Sequence, residues 1–209
     1  MFSGCSLIEH IDMSTLDTNN ITDMSYMFSG CTSLKKINLP NLDTTNVKDM
    51  RHMFSGCSSI EKLNLTNFNT IKVKKTAYMF AGCSSLEELD LSELRTDNVE
   101  DMSHMFSGCE SLKEINFSNF VTNNVRDMSY MFSECKSLTK LNLSQFNTME
   151  LFSINNMFSG CSSLSQLDLS NFNSYGIQNK SCLFDGCVNL KVLISSDNSI
   201  KKQFKNLNN

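Results

Sequence analysis

Nine cysteines and three histidines are the side chains of this 209-residue sequence that could form disulfides, bind zinc or act as nucleophiles. Eight of the cysteines occupy one column, meaning equivalent positions of successive repeats: Cys5, Cys31, Cys57, Cys83, Cys109, Cys135, Cys161 and Cys187. Equivalent residues of stacked repeats point the same way, with β-carbons about 4.8 Å apart, whereas a disulfide prefers roughly 3.5 to 4.5 Å. We therefore expect buried free thiols that pack as small apolar side chains.

The rest of the pattern indicates neither a metal site nor a catalytic group. Zinc needs converging ligands, often in CxxC pairs, and the only close pair of cysteines is Cys182 and Cys187, in the most divergent repeat. His52 and His104 fill a column that otherwise often holds tyrosine, and no serine or cysteine departs from its column as a nucleophile would. We predict no enzymatic activity, no cofactor and no metal.

A repeat of 26 residues positions all of these side chains. The sequence Met27-Phe28-Ser29-Gly30-Cys31 returns at Met53, Met79, Met105, Met131 and Met157, with a first copy at Met1 and a divergent one at Leu183. A unit of this length cannot bury a core alone and must stack on its neighbours. We predict one solenoid domain over residues 1–209, with eight coils that start near residues 1, 27, 53, 79, 105, 131, 157 and 183.

Each copy contains two apolar patterns. Alternation through Leu89-Asp90-Leu91 is the period of a short strand. The series Val99, Met102, Met105 and Phe106 has the three-and-four spacing of a buried helical face, which favours a short helix that ends near a glycine. These patterns predict an α/β solenoid, right-handed, with one short parallel strand and one short helix per coil.

The sixth copy carries Glu134 where the other copies have the helix-ending glycine. Either the left-handed backbone angle is not required there, or it is tolerated at some cost. At the chain ends, the apolar face of the first coil has nothing to lie against, which predicts a preceding segment or end-to-end self-association. The spacing of Ile200, Phe204 and Leu207 predicts a short helix that caps the last coil, within residues 195–209.

The full repeat pattern, MFxGCxSLxxLxLSxFxTxxVxxMxxMF, resembles the BspA-like class of leucine-rich repeats, found in bacterial surface proteins. The resemblance covers all eight copies and implies a secreted or cell-surface protein, because that class includes adhesins that attach to extracellular-matrix proteins or to other cells. No signal peptide opens the sequence. This conflict is resolved if the chain is a piece of a longer polypeptide, and a cytoplasmic protein is the alternative.

Charge and hydropathy exclude two classes of partner. The net charge is −4, with no basic block, so nucleic acid is not expected as a partner. No run of eighteen apolar residues exists, so we expect no membrane insertion by this segment. One basic spot stands out on the outer side, and it is either a functional patch or, as we favour, a solvated face balanced by Glu100 and Asp101. Its residues are Lys48, Arg51, Lys72, Lys74 and Lys75.

Two outward columns flank the inward residue of each strand, and they are the candidate protein-binding face. The first, which we call the charged column, changes sign along the array and comprises His10, Lys36, Lys62, Glu88, Glu114, Lys140 and Gln166. The second, the Asn/Asp column, comprises Asp12, Asn38, Asn64, Asp90, Asn116, Asn142 and Asp168. We assign specificity to the charged column and expect the Asn/Asp column to satisfy itself, amide to amide. Its acids are too far apart to share a calcium ion.

The leading hypothesis is a non-enzymatic module that presents this face to an extracellular protein ligand, either a matrix protein or a cell-surface protein. The alternatives are a rigid structural spacer whose faces bind nothing, or an intracellular protein-interaction scaffold.

Overall fold

A computed structural model describes residues 1–207 of the chain. The chain winds into a solenoid of about seven turns. Six isolated parallel bridges follow one another at 26-residue steps, from Asp23 and Asp49 to Ser153 and Asn179, and link seven successive turns. The regular elements are β1 (His10–Asp12), β2 (Lys36–Asn38), β3 (Glu88–Asp90), β4 (Glu114–Asn116), β5 (Lys140–Asn142), β6 (Gln166–Leu169), β7 (Val192–Ser195) and α1 (Asn198–Leu207).

The strands pair in parallel with equivalent residues side by side, for example Leu89 beside Ile115. The expected count of eight coils is not confirmed, and neither is a strand in every coil. The described residues form three small sheets, β1-β2, β3-β4 and β5-β6-β7, and the third repeat copy has no strand at residues 62–64. The alternation itself holds, because Leu89 is 2% exposed between two exposed residues.

The expected short helix in each coil is absent, since α1 is the one helix within residues 1–207. Its place is taken by consecutive tight turns. The N–H of Met27 donates to the carbonyl of Met24, three residues back (3.3 Å), whereas the N–H of Phe28 donates to the carbonyl of Met53 in the next coil (2.9 Å). This alternation repeats through the segment, so half of the N–H groups close turns and half join the coils.

Two left-handed residues per coil exclude a helix from this segment. Tyr26 has a φ of 57° and Gly30 a φ of 73°, and their equivalents repeat these values along the array. A right-handed helix cannot contain such residues. Successive turns nevertheless bring a side chain inward every three or four residues, so the apolar spacing alone could not distinguish the turns from a helix.

Stacked side chains fill the interior as ladders that cross all the coils. The rings of Phe28, Phe54, Phe80 and their equivalents lie parallel, with centroids 5.4 to 6.0 Å apart. A buried threonine column provides a polar ladder, in which the hydroxyl of Thr44 accepts from the N–H of Asn69 (2.7 Å) and donates to its carbonyl (3.0 Å). Each ladder joins a coil to the next, so packing cooperates along the array.

The last coil is covered by α1. Asp197 accepts a hydrogen bond from the N–H of Ile200 (2.9 Å), an N-cap for the helix, and another from the N–H of Ser174, the last member of the threonine column (2.7 Å). Ile200 is fully buried, and the ring of Phe204 meets Phe184 edge to face. Residues 208 and 209, part of the expected cap, lie outside the described residues.

Candidate functional site

The charged column stands on the solvent side of the strands. All seven of its members are exposed. The parallel register sets Glu88 beside Glu114, and Lys36 and Lys62 occupy the same column in successive coils, so like charges are neighbours along the stack. Like charges directly opposite one another destabilise a sheet. The arrangement therefore does not serve the stability of the fold.

Charged residues in neighbouring columns form ion pairs, whereas those of the charged column do not. Lys35 forms an ion pair with Glu9 one coil away (2.9 Å), and Lys113 does so with Glu87 (2.7 Å). In contrast, no charged-column residue takes part in an ion pair anywhere in residues 1–207. The charged column thus carries charges that are available for an external partner.

The Asn/Asp column has a structural role that differs from the expected amide ladder. The side-chain oxygen of Asp90 accepts the N–H of Ser92, two residues on (2.9 Å), and the other copies repeat this turn-closing bond. Position 38 is the exception, because Pro40 has no N–H to donate. There the amide of Asn38 donates to Asp12 in the preceding coil (3.1 Å). The column mainly closes the turn after each strand.

Two shallow grooves lie along the strand face. The first, of about 750 Å³, runs beside β1 and β2 to residues 61–64 and is bordered by His10, Lys36 and Lys62. The second, of about 460 Å³, follows β4 to β7 and includes Lys140 and the half-exposed Val192 and Ile194. The groove bordered by the lysines thus lies on one side of Glu88, and the groove that includes Glu114 lies on the other.

Two of the five cations of the basic spot are neutralised by their own neighbours. Arg51 binds the carboxylate of Asp49 (2.7 Å), Lys74 approaches Glu100 (3.5 Å), and Lys72 donates to Asn46 (2.9 Å). Lys75 occupies the column of Asp49 and Asp101 and forms backbone bridges to both. Lys48 is exposed. The two ion pairs are consistent with the solvated face that we favour, while Lys48, Lys72 and Lys75 form no ion pair among the described residues.

The cysteine column has the expected free thiols, and Cys182 is free as well. The thiol of Cys83 donates to the carbonyl of Phe54 (3.2 Å), and its equivalents from Cys31 to Cys187 make the same bond to the preceding turn. Burial raises the pKa of Cys57 and of Cys109 to about 12. Within residues 1–207, no group of three or more His, Cys, Asp or Glu side chains is placed to hold a metal ion.

An aromatic ladder on another face was missed by the sequence reasoning. The rings of Tyr26, His52, Tyr78, His104 and Tyr130 stack in succession, with centroids 4.2 to 4.5 Å apart. All five residues have positive φ. The alternation of tyrosine and histidine in one column was the available signal, since planar rings at the coil spacing can stack. Burial lowers the pKa of both His52 and His104, with the Arg51 charge adding to the shift at His52.

No helix within residues 1–207 is long and apolar enough to cross a membrane.

Several solved leucine-rich repeat structures are similar to this chain over most of its length. One from T. pallidum has a TM-score of 0.44 and 20% identity, over 100% of this chain and 74% of that one. A leucine-rich cell surface protein of Faecalibacterium prausnitzii A2-165 has a TM-score of 0.39 and 13% identity, over 94% and 90%. A leucine-rich repeat protein of Bacteroides ovatus has a TM-score of 0.29 and 18% identity, over 93% and 62%. No curated protein matches the sequence.

One repeat family matches nearly the whole chain, in two overlapping segments, 1–118 and 102–208. The match confirms the resemblance to BspA-like leucine-rich repeats. The chain belongs to the family described as "Mycoplasma protein of unknown function, DUF285".

Proposed function

We propose that this chain is a non-enzymatic protein-interaction module of the cell surface, which binds an extracellular protein ligand through the charged column. The observation that carries the proposal is the contrast between paired and unpaired charges. Lys35 and Lys113 are neutralised by neighbouring coils, whereas Lys36, Lys62 and Glu88 are exposed with no ion pair among the described residues. Oppositely charged partner groups would remove the repulsion between like-charged neighbours and guide association.

Repetition gives the face a rigid geometry. The strand residues are anchored by the buried leucines between them and by the turn-closing bonds of the Asn/Asp column. A partner therefore meets charges at fixed intervals, without a large cost of ordering the surface. The cell-surface location belongs to this proposal and follows from the resemblance of the repeat pattern.

The test is binding of the purified chain to a panel of matrix, serum and cell-surface proteins, followed by a reversal of the charge order. The variant Lys36→Glu/Lys62→Glu/Glu88→Lys/Glu114→Lys keeps the net charge unchanged. We expect it to lose binding at least about tenfold, because every charge contact becomes repulsive. A matched control, Lys113→Glu/Glu87→Lys, reverses one ion pair next to the column and should bind as the original chain does. If no member of the panel binds, the proposal is contradicted.

A rigid spacer is the second candidate, and one observation favours it. The phenylalanine and threonine ladders run unbroken through the coils, which stiffens the array along its axis. A spacer would hold a neighbouring domain at a set distance and would function unchanged after the charge reversal. An intracellular scaffold would bind protein through the same face but would be protected from protease added to intact cells.

A further inference from the structure

The order of charges in the central coils has a symmetry that a general binding face does not need. From the second to the fifth coil, the charged column reads Lys36, Lys62, Glu88, Glu114. Two cations are followed by two anions at equal spacing, with all four side chains exposed. Turning this series end for end exchanges the cations for the anions. The series is therefore complementary to its own reverse.

We propose that the strand face binds a second copy of this chain, related by a two-fold axis that is parallel to the strands and passes between the third and fourth coils. The inference rests on the proposed function, because it assigns one partner to the same column. Such an axis reverses the order of the coils but keeps each column opposite itself. Lys36 then faces Glu114 of the second copy, and Lys62 faces Glu88 of the second copy. Symmetry repeats both pairs, so the dimer contains four ion pairs.

The distances and the space available suit this arrangement. Sheets packed face to face lie about 10 Å apart, a gap that a lysine and a glutamate span together. The groove of about 750 Å³ beside Lys36 and Lys62 leaves room for the incoming carboxylates. In the Asn/Asp column, the same axis sets the amide of Asn64 opposite the carboxylate of Asp90 of the second copy, which is a donor facing an acceptor.

Like charges held side by side supply a reason for association. Glu88 and Glu114 are register partners in β3 and β4, and neither has a cation within ion-pair distance among residues 1–207. Their repulsion, and that of Lys36 and Lys62 in neighbouring coils, destabilises the isolated chain. A second copy neutralises all four charges at once. Exposed ion pairs contribute little each, so we expect a weak dimer that forms at about 100 µM.

Charge-reversal variants test the proposal in a sedimentation experiment at low salt. Lys36→Glu/Lys62→Glu makes the four-residue stripe wholly acidic, and Glu88→Lys/Glu114→Lys makes it wholly basic. We expect each variant to be monomeric alone and the equimolar mixture to form a heterodimer. The control Lys202→Glu/Lys205→Glu places the same charge change on α1 and should dimerise as the original chain does. Circular dichroism establishes that each variant is folded.

The four-residue reversal separates this proposal from the proposed function. In Lys36→Glu/Lys62→Glu/Glu88→Lys/Glu114→Lys, the stripe is again complementary to its own reverse, so self-association should persist while binding of a different protein is lost. An original chain that stays monomeric at several hundred micromolar would overturn the proposal and leave the ligand-binding test unaffected. Dimers that survive in both double variants would also overturn it and would indicate association elsewhere, such as the first coil, where Met1 and Leu7 are exposed.

Discussion

The imidazole ring of His104 lies face to face with the phenol ring of Tyr78, with 4.2 Å between the ring centroids and 7° between the planes. The other face of His104 is stacked on Tyr130, and His52 is held in the same way between Tyr26 and Tyr78. Each imidazole is thus enclosed by tyrosines on both faces. Burial lowers the pKa of both histidines, although Asp127 and Asp101 act in the opposite direction on His104.

The first prediction is a loss of stability in mild acid. A histidine whose pKa is lower in the folded chain binds fewer protons there than in the unfolded chain. Stability is therefore full above the unfolded pKa of about 6.5 and falls as the pH drops from there toward the lower folded value. We expect the melting temperature to decrease between pH 7 and pH 5. In the double variant His52→Tyr/His104→Tyr, which copies the neighbouring coils, this decrease should be much smaller.

The control for that experiment is His10→Asn. His10 is exposed on β1 and lies outside the aromatic ladder. The control should therefore keep the pH dependence of the original chain. Thermal melts at half-unit pH steps give the melting temperatures of the original chain, the double variant and the control. An unchanged slope in the double variant would assign the pH dependence to groups other than the ladder.

The second prediction concerns the left-handed residue that lies two positions after each Met-Phe pair. Glu134 has a φ of 61° where the other copies have glycine, so the left-handed angle is required and is tolerated at a cost. For a residue with a β-carbon this angle costs about 1 to 2 kcal/mol. Glu134→Gly should stabilise the chain by about 1 kcal/mol. Its ion pair with Lys136 is long and half-exposed (3.7 Å), and its loss should matter little.

The reverse change, Gly82→Ala, should destabilise by a similar amount. The new β-carbon would lie 3.6 Å from the α-carbon of Gly56, an ordinary contact, so backbone strain rather than crowding accounts for the cost. Glu134→Ala is the matched control, because it keeps a β-carbon at the strained angle and should give no gain. If it stabilised as much as Glu134→Gly, the strain would come from the glutamate side chain, which lies over Gly160. Urea denaturation gives the free energies.

The sequence predicted the solenoid and the inward residues well, because repetition multiplies a weak signal. Alternation over three residues is ambiguous in one copy, yet Leu89, Leu141 and Leu167 are all buried in strands, as expected. The prediction of a short helix in each coil was wrong for a physical reason. Apolar spacing reports which side chains turn inward, whereas the backbone conformation is decided by the left-handed residues, and a tyrosine gives little warning of positive φ.

The candidate site was only partly predictable. Outward positions follow from the strand period, and the charged column is exposed accordingly. Which charges are neutralised depends on side-chain reach between coils: Lys35 and Lys36 are adjacent in sequence, yet only Lys35 meets a glutamate. The turn-closing bonds of the Asn/Asp column depend on a backbone turn that the helix prediction did not include.

The third prediction is a difference in reactivity between the cysteines. Cys182 is exposed, whereas Cys83 and Cys109 are fully buried. Burial raises the pKa of Cys109 to about 12, so almost no thiolate is present near neutral pH, and the thiol is also shielded from reagents. At pH 8, a maleimide should label Cys182 rapidly and the buried column members from Cys31 to Cys187 only after unfolding. Mass spectrometry of peptides locates the label.

The variant Cys182→Ser provides the control, since it should remove the rapid phase and leave the slow one. The carboxylate of Asp185 raises the pKa of Cys182, so its labelling should accelerate as the pH rises. Rapid labelling of Cys83 or Cys109 in the folded chain would mean that the coils separate locally on the timescale of the reaction.

The fourth prediction places a charge inside the array. Leu89 lies at the centre of β3 and is 2% exposed, so Leu89→Asp buries a carboxylate among apolar side chains with no partner. The cost should be several kcal/mol. Each coil is stabilised mainly by its neighbours, and a damaged coil near the middle should uncouple the two sides. We expect calorimetry to show two transitions at lower temperature in place of one.

A substitution at the neighbouring residue Glu88 is the control that separates the effect of burial from local effects on the strand. Glu88→Asp changes the adjacent exposed residue by one methylene and should leave the melting curve unaltered, because its side chain contributes no ion pair to the described chain. Hydrogen exchange would then locate the damage, with protection lost first at the N–H groups that cross between coils around β3. A single unshifted transition for Leu89→Asp would show that the fourth coil does not couple the two halves and that its leucine is not part of a shared core.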